Sequence, residues 1–204
     1  MRITKIISFF GVITIAFISL SAVASTEPSQ KPQQVVMGVV DKVLAIIKDP
    51  TLKGPEKQQQ RRSMIRTAVE DRFDFHEMSQ RSLAVHWQRR SDAEKKEFAE
   101  LFKDLLENAY INKIEKYTDE KIDVVEEKTE GGFSTVKTEI ITKKGKIPID
   151  YRLKELGDGK EWKVYDVVIE GVSLVNNYRT QFQSIINTKG YDALTKMLRE
   201  KKTP

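Results

Sequence analysis

The chain has 204 residues, 35 Lys and Arg against 30 Asp and Glu, 39% hydrophobic residues and no cysteine. That length supports one ordinary domain with a core of its own, and the apolar and aromatic content is too high for a disordered chain. The missing cysteine excludes disulfide frameworks, thiol nucleophiles, Cys-ligated metal clusters and the lipid attachment point of a bacterial lipoprotein.

Residues 1–24 read as a cleavable secretory signal. Arg2 and Lys5 precede an apolar run of about fifteen residues, shorter than the roughly 20 that span a bilayer, and Ala22-Val23-Ala24 is a small-x-small cleavage site. Losing Arg2 and Lys5 lowers the formal charge from +5 to +3, 33 basic against 30 acidic residues. Residues 25–32 are a polar, proline-containing leader, and residues 33–204 form a single domain.

That domain opens with a helix over 33–48, whose Val36, Val39, Val40, Val43, Leu44 and Ile47 recur at helical spacing. Asp49-Pro50 and Gly54-Pro55 hold a turn. A second helix covers 56–73 and a short third follows Asp74 as N-cap and runs toward Trp87. Ser91 and Glu94 form a capping box for a long helix displaying Phe98, Leu101, Phe102, Leu105, Leu106, Ala109, Ile114 and Tyr117. The period then changes to alternation. Strands are expected around 122–125, over 133–143, 147–156 and 161–170, joined by short turns at Gly131-Gly132, Lys144-Gly145-Lys146 and Gly157-Asp158-Gly159. In the last strand Trp162, Val164, Asp166 and Val168 face one way and Tyr165, Val167 and Ile169 the other. Gly171 breaks the pattern, and helices over 174–188 and 191–201 close the chain. The fold class is α+β: a four-stranded antiparallel meander packed by N-terminal and C-terminal helices.

Motifs for catalysis or metal binding do not emerge. His76 and His86, the two histidines, sit ten residues apart, which on one helix leaves them about 80° and nearly three turns from each other. P-loops, nucleophile elbows and dinucleotide fingerprints are absent. Asp166, an acid on an apolar strand face, is either a general base or a structural hydrogen-bond acceptor. The basic clusters Arg61, Arg62, Arg66 and Arg89, Arg90, Lys95, Lys96 are interspersed with acids and read as solvated helix faces, so no nucleic-acid partner is expected. The remaining feature is an excess of large apolar residues facing inward, and periodicity does not distinguish a packed core from a hollow one.

The run from Trp162 through Tyr165-Asp166 and Glu170-Gly171-Val172-Ser173, continuing with Asn177-Tyr178-Arg179, Gln181-Phe182, Thr188-Lys189-Gly190, Asp192 and Leu194, resembles the MlaC, or toluene-tolerance, family of periplasmic phospholipid-binding proteins. Arg66-Thr67-Ala68-Val69, Trp87, Phe98, Phe102 and Ala109-Tyr110 extend the likeness over most of the domain. Ala84-Val85-His86 departs from it where a Leu-Gly pair is expected in many relatives. The resemblance implies an NTF2-like fold enclosing an apolar pocket, with a glycerophospholipid as cargo, no cofactor and no enzymatic reaction. It also implies shuttling between an inner-membrane ABC transporter complex with an MCE-domain component and an outer-membrane lipoprotein-porin complex. On that basis the expected lipid-contacting set is Val136, Ile140, Ile149, Tyr151, Leu153, Trp162 and Val164 on the sheet, facing Val69, Phe98, Phe102, Leu105, Phe182 and Ile186 on the helices. The open alternatives are an acid/base enzyme using Asp166 and a solid-core interaction domain.

Overall fold

The computed structural model describes residues 30–117, 120–157 and 161–200. The expected secretory signal, most of the expected leader, residues 158 and 159 of the Gly157-Asp158-Gly159 turn and Lys201 lie outside the described residues. Helix α1 (Pro32–Lys48) starts on a proline, whose missing amide proton costs a first turn nothing, and stops before Pro50. Two short 3₁₀ turns, Pro50–Leu52 and Pro55–Lys57, lead into α2 (Gln58–Glu70). Asp74 caps α3 (Phe75–Leu83) by accepting from the Glu77 amide at 2.9 Å. A 3₁₀ segment, Ala84–Arg89, carries Trp87 into the core. The Ser91/Glu94 capping box forms as expected and starts α4 (Asp92–Ile114).

Strands β1 (Lys121–Glu130), β2 (Phe133–Thr142), β3 (Gly145–Leu156), β4 (Glu161–Ile169) and β5 (Val172–Ser173) make an antiparallel sheet in sequence order, followed by α5 (Leu174–Lys189) and α6 (Tyr191–Glu200). The expected meander therefore gains a fifth, two-residue strand. Its turn places Glu170 at φ 49° and Gly171 at φ 82°, the paired positive angles of a tight two-residue hairpin. The second helix is shorter than its pattern suggested because the chain after it leaves to pair with the sheet. Val164 donates to the Arg72 carbonyl at 2.9 Å and Asp74 donates to the Val164 carbonyl at 2.8 Å. The long helix ends at Ile114, before Tyr117.

One sheet detail reverses an expectation. Arg152 pairs with Asp166 but Leu153 pairs with Val164, so Tyr165 bulges from β4. An extra residue inverts every side chain beyond it. Trp162 and Val164 share the helix-covered face with Val167 and Ile169, opposite Tyr151 and Ile149 of β3. Asp166 and Val168 turn to the other face.

Candidate functional site

The helix-covered face of the sheet is packed at one end and hollow at the other. At the packed end Phe98 and Phe102 of α4 meet Phe182 of α5 edge to face, with ring centroids 5.6 and 5.4 Å apart, and Tyr178 and Tyr191 complete the cluster. Such rings interlock and fill space. At the hollow end a cavity of about 790 Å³ lies between α1, α2, the C-terminal half of α4 and the sheet. Its walls are mostly aliphatic: Val36, Val39, Val40, Val43, Leu44 and Ile47 from α1; Leu106, Ile111 and Ile114 from α4; Ile122, Ile140, Ile147, Ile149, Val164, Val167 and Ile169 from the sheet.

Five of the thirteen expected contact residues, Val69, Ile140, Ile149, Tyr151 and Val164, line this cavity. The other eight lie off its walls. Phe98, Phe102 and Phe182 belong to the aromatic cluster; Val136, Leu153 and Trp162 lie on the correct sheet face but are sealed in the core; Leu105 and Ile186 pack against that core while half-buried. The residues that sequence reasoning missed are chiefly those of α1. Its stripe was visible as an apolar face, and its lack of any aromatic side chain was the available signal that it walls a space rather than fills one.

The cavity opens where the start of β1, the β2–β3 hairpin and the β4–β5 turn share one end of the sheet, marked by Ile122, Thr142, Ile147, Glu170 and Val172. Charged side chains are set into the wall between α2 and α4. Arg66 pairs with Glu107, and Lys103 with Glu70 at 2.9 Å. Glu115, just past α4, is held by Arg61 and Arg62, both at 2.7 Å. Burial opposes its charge, but the hydrogen bonds and charges of Arg62 and Arg61 outweigh that and keep its carboxyl below the ordinary range. The first basic cluster thus ties α2 to α4. In the second, Arg90 pairs with Glu94 and Lys95 with Asp92. Lys113 and Lys116 on the cavity lining form no ion pair among the described residues.

Asp166 is not on the cavity wall. It is 2% exposed and accepts from the Val175 amide at 3.1 Å, the Ser173 hydroxyl at 2.7 Å and Arg152 at 3.1 Å. It fixes the start of α5 to β4, the structural alternative of the two readings. His76 rests edge-on against Trp87 at 5.0 Å, and no cluster of three His, Asp or Glu residues suited to a metal occurs among the described residues. An apolar chamber with charged side chains set into its wall offers burial of hydrocarbon attached to a polar group.

Comparison with known proteins agrees with this geometry. The MlaC protein family matches residues 38–200. The intermembrane phospholipid transport system binding protein MlaC of Haemophilus influenzae is 26% identical over 198 residues, covering 95% of this chain and 91% of that protein. Toluene tolerance protein ttg2D of Pseudomonas putida is 25% identical over 170 residues, covering 82% and 78%. A solved phospholipid-binding protein from Ralstonia solanacearum, in complex with a phospholipid, superposes with a TM-score of 0.77 at 25% identity, covering 85% of this chain and 97% of that one.

Proposed function

The chain belongs to the MlaC protein family, and we propose that it is a periplasmic carrier that sheathes the acyl tails of one phospholipid in its cavity and exchanges that lipid between complexes in two membranes. The observation that carries the proposal is the cavity of about 790 Å³ with mostly aliphatic walls and charged side chains set into them. If each methylene takes about the 30 Å³ of a water molecule, the space holds roughly 26 such units. That is most of two tails of one diacyl lipid. At about 0.8 kcal/mol per buried methylene the gross hydrophobic gain is on the order of 20 kcal/mol before ordering costs, so loss to water is negligible and release needs a partner that opens the chamber. Lys113 and Lys116 place positive charge where a phosphate at the mouth would sit.

The two ends of the proposed route are an inner-membrane ABC transporter complex with an MCE-domain component and an outer-membrane lipoprotein-porin complex; likeness to an intermembrane phospholipid transport system binding protein supports this reading. The signal expected at 1–24 and the absence of cysteine support passage through the space between them. Organic extraction and mass spectrometry of the protein purified from a bacterial host without detergent test the proposal. Close to one diacyl phospholipid per chain is expected, and a lipid-free protein at every stage would overturn it.

A further inference from the structure

Hydroxyls on the inner sheet face are nearly all engaged. Ser134 donates to the Lys128 carbonyl, Thr138 to the Ile149 carbonyl at 2.9 Å and Thr142 to the Gly145 carbonyl at 2.8 Å. Tyr151 is the exception. It sits at the centre of β3 on the cavity wall, between Val136 and Val167, and no group among the described residues hydrogen-bonds to its Oη. Protein encloses the side chain, and what surface it keeps faces the cavity. Tyr110, another cavity phenol, is half-buried in the C-terminal half of α4, away from the sheet face on which Tyr151 sits.

Burial pushes the Tyr151 phenol up to about 12, so it is a protonated donor at any physiological pH. Water that enters the chamber ahead of a tail would satisfy it. A saturated tail that fills the chamber displaces that water and leaves a buried donor without an acceptor, which is unfavourable by more than a hydrogen bond's net worth.

The depth of Tyr151 says where on a tail an acceptor would have to lie. Four residues separate it from Ile147 at the mouth, about 13 Å at roughly 3.3 Å per strand residue. With the ester group held at the mouth, an extended chain advances about 1.25 Å per carbon–carbon bond, which brings roughly its tenth carbon to the phenol. We propose that Tyr151 reads the tail at this point, favouring lipids that carry a hydrogen-bond acceptor in mid-chain, either the π bond of a cis-unsaturated tail or the oxygen of a hydroxylated one, over fully saturated lipids. The proposal rests on the carrier reading above and adds chain selectivity to it.

The test uses delipidated wild-type protein and Tyr151→Phe, which removes one oxygen and keeps the ring. Each is offered, in competition and read by native mass spectrometry, three phosphatidylglycerols of equal tail length: fully saturated, cis-unsaturated between carbons nine and ten, and hydroxylated at carbon ten. Differences in lipid shape and packing affect both proteins alike and cancel in the ratio. The preference of the wild type for an acceptor-bearing tail over the saturated one should exceed that of Tyr151→Phe by about threefold or more, the scale of one net hydrogen bond. An excess confined to the unsaturated arm assigns the acceptor to the π bond, and one confined to the hydroxylated arm assigns it to oxygen. Equal preferences in both proteins, with lipid bound, would overturn the proposal alone. Failure of both proteins to bind any of the three would overturn the carrier reading and the proposal with it.

Discussion

Replacing Ile149 with tryptophan separates an open chamber from a packed core more sharply than any truncation. Ile149 lies on the chamber wall in the middle of β3, and its side chain keeps surface toward the void. The substitution adds about six heavy atoms, but they are hydrogen-poor ring atoms replacing methyl and methylene groups, so the net gain is only about 60 Å³, the space of roughly two methylenes. That is a little under a tenth of the 790 Å³ available. A strand position tolerates an aromatic side chain, and the added bulk has space to enter, so the fold should hold with little change in thermal midpoint. Two displaced methylenes at about 0.8 kcal/mol each amount to roughly 1.6 kcal/mol, about fifteenfold in affinity for a lipid that fills the wild-type chamber. Shortening each tail by about one carbon should restore most of the loss. Titration of delipidated Ile149→Trp and wild type with phosphatidylglycerols of stepwise shorter tails, followed by native mass spectrometry, checks both statements. If the folded variant keeps the wild-type dependence on tail length, the tails do not occupy this chamber and the reasoning fails.

Two further substitutions test the frame around the chamber. Asp166→Ala leaves the buried Val175 amide and Ser173 without their acceptor and should cost about 2–4 kcal/mol in urea denaturation, without altering lipid content of the folded fraction; a neutral result would remove its assigned role at the start of α5. Ala84 is held at φ 48° and ψ −120°, a region natural to glycine and strained for alanine. Ala84→Gly should therefore raise stability by about 1 kcal/mol and lift the thermal midpoint by a few degrees, whereas a lowered midpoint would contradict the strain.

Local chemistry made most of the fold legible. The Ser91/Glu94 box, the Asp74 cap and the prolines after α1 are decided by neighbours in sequence, and they stand where the pattern put them. The meander order was legible as well; what failed was one detail set by a partner strand. Nothing in the residues 161–170 announces that Tyr165 will bulge, yet that one residue moves Val167 and Ile169 onto the chamber wall and takes Asp166 off that face. The site was half legible for a related reason. Periodicity names a face but not how far along it the neighbouring helices close. The aromatic residues Phe98, Phe102 and Phe182 drew attention by size, and size is what lets them fill their end of the molecule. The aliphatic stripe of α1 has no rings to interlock and leaves space. The departure at Ala84-Val85-His86 was legible too, as the one place where an expected glycine is missing and the backbone nevertheless keeps a glycine-like angle.

The most direct measurement of the central claim is a map of where tails touch the protein. Wild-type protein loaded with a phospholipid carrying a diazirine near the end of one tail, irradiated and digested, should yield lipid adducts in peptides from α1 between residues 36 and 47, from the C-terminal half of α4 and from β3 around Ile149. Adducts concentrated instead in α5 and α6 around Phe182 and Leu194, or scattered over the exposed surface, would contradict it.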